Sequence, residues 1–75
     1  MTDLFNTTII IDNHSVSYSV YFNNEEYHFH SAQEDIAKSF IVKREHDEWH
    51  INENIKNELK NNAIATLEKY LLSQH

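Results

Sequence analysis

Along roughly the first fifty positions, apolar and polar residues alternate with a period of two. Near Asn52 the rhythm changes to steps of three and four. Alternation at period two places successive side chains on opposite faces of a strand, whereas three- and four-residue steps stack them on one side of a helix. The clearest strand is 15–22, where Val16, Tyr18, Val20 and Phe22 oppose Ser15, Ser17, Ser19 and Tyr21. Residues 7–12 (TTIIID) form a β-branched strand, with isoleucine on both faces. Residues 27–30, 39–45 and 48–51 supply shorter ones. From 53 to 73, Ile55, Leu59, Ala63, Leu67, Tyr70 and Leu71 make one apolar stripe, which predicts a terminal helix with Asn52 or Asn54 as its N-cap.

Turns are placed by the polar pairs between these segments. Asn13-His14 is the predicted first turn, since asparagine tolerates the left-handed backbone that a tight hairpin needs. That choice pairs Ile11 with Val16 and Ile9 with Tyr18. Residues 23–26 turn next and pair Phe22 with Tyr27. His46-Asp47 turns last, pairing Val42 with Ile51 and Arg44 with Trp49. Ser31 followed by Glu34 fits a capping box, so a short helix near 32–38 is expected, anchored inward by Ile36, with an irregular loop as the alternative. One sheet face then collects Ile9, Ile11, Val16, Tyr18, Val20, Phe22, Tyr27, Phe29, Phe40, Val42, Trp49 and Ile51. The other shows serines, Tyr21, His28, His30, Lys43 and His50, with Ile10 and Ile41 among them.

The predicted fold is therefore α+β: a small antiparallel β-meander of four to five strands, with a C-terminal α-helix packed on one face. A chain of 75 residues is expected to form a single domain, 1–75, near the lower size at which one core suffices. There is no cysteine, so packing or a partner chain must supply the stability that disulfides give elsewhere. The first residues lack the basic-then-apolar order of a leader, and no apolar run reaches membrane-spanning length; a cytoplasmic protein is the expectation.

Charge changes the picture more. Residues 1–37 hold six of the twelve acidic groups and none of the six basic ones, so the first half is −6 and the second half neutral. Such a field disfavours phosphate-rich partners and steers a basic protein in. The plainer account is that the charge maintains solubility. Six histidines would gain positive charge in mild acid and erase much of it.

Candidate chemistry is sparse. His46-Asp47-Glu48-Trp49-His50 echoes the zinc-protease pattern of two histidines four apart, but it falls where a hairpin turn is predicted rather than on a helix. His28 and His30 share a strand face, and His50 could approach them, which makes these three the metal candidates; an exposed polar face holds histidines without any ligand role too. With no glycine and no cysteine, phosphate-cradling loops, nucleophile elbows and thiol catalysis are excluded, so no catalytic residue and no cofactor is expected. The ββββα order is similar to that of single-strand-binding coactivator-type domains. Their basic, aromatic surface is missing here, and nucleic-acid binding stays a matter of fold analogy.

What remains is an interaction reading. Strand 7–12 has no lysine or proline to guard it if it lies at a sheet edge. Ile10, Tyr21, Ile41 and Leu72 are the candidate contact residues, the last beside Ala65 on the helix. Scattered surface hydrophobes and a frayed terminus would account for the same residues. The expected function is a small acidic non-enzymatic protein-interaction module, self-associating as a homodimer. One version acts as an inhibitor or mimic on a basic or nucleic-acid-binding protein, and a histidine-dependent metal binder is the alternative.

Overall fold

A computed structural model describes residues 2–74 of the chain. Five strands in meander order are followed by one helix: β1 (Thr2–Ile11), β2 (His14–Asn23), β3 (Glu26–Ser31), β4 (Phe40–Glu45), β5 (Glu48–Ile51) and α1 (Asn57–Ser73). All neighbours are antiparallel, and the sheet order is the chain order, β1-β2-β3-β4-β5. No helix among the described residues is long and apolar enough to cross a membrane.

Three hairpins are closed by two-residue loops, and all six loop residues have positive φ: Asp12 and Asn13, Asn24 and Glu25, His46 and Asp47. Positive φ at both central positions is the type I′ geometry, whose twist matches that of the flanking strands. Glycine ordinarily fills such positions. Without any, the chain relies on asparagine and aspartate, whose short polar side chains tolerate the left-handed region, and on Glu25 and His46, which tolerate it less well.

The first turn differs from expectation by one residue. It sits at Asp12-Asn13, so Ile9 pairs with Val16 and Ile11 with His14, a register two residues away from that predicted. A shift of two leaves every side chain on its original face, which is why the face assignment survives. The second and third hairpins have the predicted register, Phe22 with Tyr27, Val42 with Ile51 and Arg44 with Trp49. Strand β1 also starts five residues earlier than the pattern suggests. Pairing slips between Asp3 and Phe5, leaving Leu4 as the extra residue of a bulge, and that extra residue hides the alternation.

Between β3 and β4 the predicted helix near 32–38 does not form. A single turn closes instead, with the Ile36 and Ala37 N–H groups both donating to the Gln33 carbonyl. The capping box is unmade: Ser31 Oγ accepts from the Gln33 N–H at 3.0 Å, while Ser39 Oγ accepts from the Ser31 N–H at 2.8 Å and donates to Glu34 at 2.6 Å. Ile36 is 40% exposed, and Ala37, at 7%, is the inward anchor. The Tyr18 hydroxyl donates to the Lys38 carbonyl at 2.9 Å and ties this loop to the sheet. Burial pushes the Tyr18 phenol above its usual pKa, partly offset by the Ser31 hydroxyl.

Helix α1 begins at Asn57 rather than at 53. Its N-cap residue is Lys56, with no side-chain cap, and neither Asn52 nor Asn54 takes that role. The Asn52 carboxamide accepts from the Ile41 N–H at 2.8 Å and so extends the β4–β5 pairing beyond Ile51. Leu59, Ala63 and Leu67 are the buried residues of α1 and join Ile9, Ile11, Val16, Tyr18, Val20, Phe29, Ala37, Phe40 and Val42 in one core. Tyr27, Trp49, Ile51, Ile55 and Leu71 pack around its rim. Aromatic rings dominate the centre: Phe29 stacks on Phe40 at 4.9 Å, and Tyr18 meets both edge-on.

Two stability outcomes follow. Leu67 is fully buried, so Leu67→Ala should cost about 3 kcal/mol in a urea titration, whereas Leu72→Ala should change stability by less than ~0.5 kcal/mol. Glu25 holds a φ of 63°, so Glu25→Gly should raise stability by ~0.5 kcal/mol despite the chain entropy that glycine adds. A loss of stability in Glu25→Gly would contradict the left-handed turn.

Candidate interaction site

Strand β1 forms one border of the sheet, and among the described residues no strand pairs with its outer side. It is ten residues long and carries no lysine, arginine or proline. The opposite border, β5, is four residues long, with Glu48 and His50 on it. Short, charged edges resist further pairing, while long ones with little charge invite it, and Asp3 before the bulge is the one charged residue of β1. The bulge at Leu4 blunts only the first residues of β1, leaving Phe5 to Ile11 in regular register with β2.

Helix α1 runs back alongside this edge. At its start Lys56 Nζ donates to Asp12 Oδ2 at the end of β1, and near its finish Tyr70 stacks on Phe5 with ring centroids 4.6 Å apart. Around the Phe5–Tyr70 contact lies an open groove of about 330 Å³, lined by Phe5, Asn6 and Thr7 of β1 and by Thr66, Lys69, Tyr70 and Ser73 of α1. Exposed strand backbone beside a helix is the geometry in which an added strand finds main-chain partners on one side and side-chain pockets on the other. Sequence reasoning missed the groove because the bulge conceals Phe5, and because Tyr70 reads as an ordinary member of the apolar stripe.

The four predicted contact residues do not form one patch. Tyr21 and Ile41 do share a cross-strand row, joined through His28, which pairs with both. The Tyr21 and His28 rings stack almost in parallel at 4.7 Å. Ile10 is 60% exposed on the same sheet face but opposite Ser15, six residues along β2 from Tyr21 and hence about 20 Å away. Leu72, 74% exposed, belongs to α1 on the other side of the sheet and borders a separate groove with Arg44, Glu68 and Leu71.

Nor do the histidines converge. His28 and His30 lie on β3 with β4 between them and His50 on β5, a lateral separation of about 10 Å. The described residues contain no group of three or more potential ligands placed to hold a metal ion. His28 Nε2 is buried without a hydrogen-bond partner, with Glu26 Oε1 4.0 Å away. His46 occupies the third turn, where it cannot share a helix face with His50. The chain matches no protein-family model, and comparison with curated proteins and with solved structures gives no match either.

Electrostatics at the edge centre on Asp12 and Lys56. The hydrogen bond and charge of Lys56 hold the Asp12 carboxyl below its ordinary pKa, and Asp12 holds the Lys56 ammonium above its own. A depressed carboxyl contributes stability above its unfolded-state pKa and loses it as pH falls through the folded value. A raised ammonium contributes below its unfolded-state pKa and loses it as pH rises through the folded value. The pair therefore acts across the whole range between the two titrations. Lys56→Met should move the Asp12 carboxyl titration, followed by carbon-13 NMR, up toward the ordinary range. The stability difference between variant and parent should vanish below the depressed Asp12 pKa; an unmoved Asp12 titration would show that the pair does not form.

Proposed function

We propose that this chain is a small non-enzymatic protein-binding module that takes its partner as an added strand on the open edge of β1. The observation that carries the reading is a ten-residue edge strand with no basic residue or proline, beside a groove walled by α1. Main-chain hydrogen bonds would supply affinity. Alternate side chains of the incoming strand would enter the groove against Thr66, Lys69 and Tyr70, which supplies selectivity.

The charge distribution points to a basic partner. Acidic groups outnumber basic ones by six across the chain, and the excess lies wholly within residues 1–37, which include β1. Such a field speeds encounter with a positively charged segment more than it tightens the final complex. A basic nucleic-acid-binding protein, occupied and inhibited by this chain, fits the same charge.

Selection of binders from displayed random ten-residue peptides tests this reading. Enriched sequences should alternate apolar with polar residues and carry lysine or arginine. Thr8→Lys and Ile10→Lys alter exposed side chains on the edge strand, so each should weaken the selected peptides about ten-fold while leaving the melting curve in place. Peptides that bind both variants as well as the parent would place the site elsewhere.

A further inference from the structure

We propose a second surface, separate from the β1 edge, through which two copies of this chain associate about a two-fold axis. It is the groove between β4 and the last turns of α1, and in it Arg44 of each copy meets Glu68 of the other around a central Leu72 contact.

The groove has a volume of about 350 Å³ and is lined by Arg44, Glu68, Leu71 and Leu72. At 74%, Leu72 is the most exposed of the large apolar side chains among the described residues. It continues a strip along α1 in which Asn61, Ala65, Glu68 and Leu72 follow at steps of four, three and four, all exposed. Alanine near the middle of the strip permits close approach of a second helix.

Arg44 is held rather than free. Its guanidinium lies over the Trp49 ring, 4.7 Å from the centroid. A guanidinium held over an aromatic face keeps N–H donors available to a carboxylate. The ion pairs among the described residues are His28–Glu26, Lys43–Glu45, His50–Glu48 and Lys56–Asp12. Neither Arg44 nor Glu68 takes part in them, although both line the same groove.

An unmatched cation and an unmatched carboxylate on one surface decide the occupant. An acidic partner would be repelled by Glu68 and a basic one by Arg44. In a two-fold interface, each residue i that meets j is matched by a j that meets i, so a second copy supplies both complements at once. The net charge of −6 on each copy opposes approach, but repulsion between groups beyond about 10 Å is screened at physiological salt while contacting pairs are not. The strip is narrow, and small interfaces are mostly weak, so a dissociation constant on the order of micromolar is expected. The β1 groove uses Thr66, Lys69, Tyr70 and Ser73 and this one uses Glu68, Leu71 and Leu72, so the two surfaces occupy different sides of α1 and can act together.

Charge reversal tests the idea on the full chain by sedimentation equilibrium at about 100 μM, well above a micromolar dissociation constant. The parent should be dimeric, and Arg44→Glu and Glu68→Arg should each be monomeric, because every cross-copy pair then brings like charges together. An equimolar mixture of the two variants should recover the dimer, since both cross-copy pairs are again opposite in sign. A monomeric parent, dimeric single variants, or a mixture that stays monomeric would each overturn the proposal. A parent dimer abolished by Ile10→Lys and untouched by the reversals would assign self-association to β1 instead.

Discussion

Covering one face of a thin sheet is the constraint on which this molecule depends. Five strands present Ile9, Ile11, Val16, Tyr18, Val20, Phe29, Phe40 and Val42 on a single side, and α1 brings Leu59, Ala63 and Leu67 into the same core. With no disulfide to restrict the unfolded chain, the burial of this face must offset nearly all of the conformational entropy lost on folding. The helix needs the sheet just as much, because a 17-residue helix without a side-chain cap is marginal alone in water.

That covering contact decides which surfaces stay open. Helix α1 is attached at Asp12 and at Phe5, at opposite ends of β1, and so lies along the border of the sheet. One flank of the helix then walls the unpaired edge of β1, and the other faces Arg44 and the Trp49 rim. Both grooves result from one placement. Meanwhile the far face of the sheet, with its serines and histidines, has no described element packed over it, and its polar character is what such a position requires. The Tyr21 and His28 rings stack on that face, and Ile41 pairs with His28 in the next strand.

The loops show how a chain without glycine builds tight hairpins. Asp12, Asn13, Asn24 and Asp47 are short polar residues that enter the left-handed region at modest cost, while Glu25 and His46 accept more strain there. Strand-to-strand register depends on these pairs. A one-residue error in a turn would have been serious had it moved a strand by one position, because the apolar face would then have met solvent. At the first hairpin the error moves the pairing by two, and the core is indifferent to it.

Alternation and helical spacing by themselves determined the architecture, the membership of each sheet face, two of the three hairpin registers and the stripe of α1. They could do so because side-chain direction follows from local backbone geometry, and burial selects apolar residues at the matching period. Tertiary structure decided the rest. The bulge at Leu4 extends β1 against its own pattern. Ser31 and Ser39 trade a capping box for a loop stitched to β2 and the core through Ala32 and Tyr18. Asn52 leaves the helix to finish the β4–β5 pairing. The loop and the Asn52 contact turn on hydrogen bonds that span eight to twenty residues of chain. A sequence lists such partners without saying which of them meet, and the two grooves beside α1 are made of meetings of that kind.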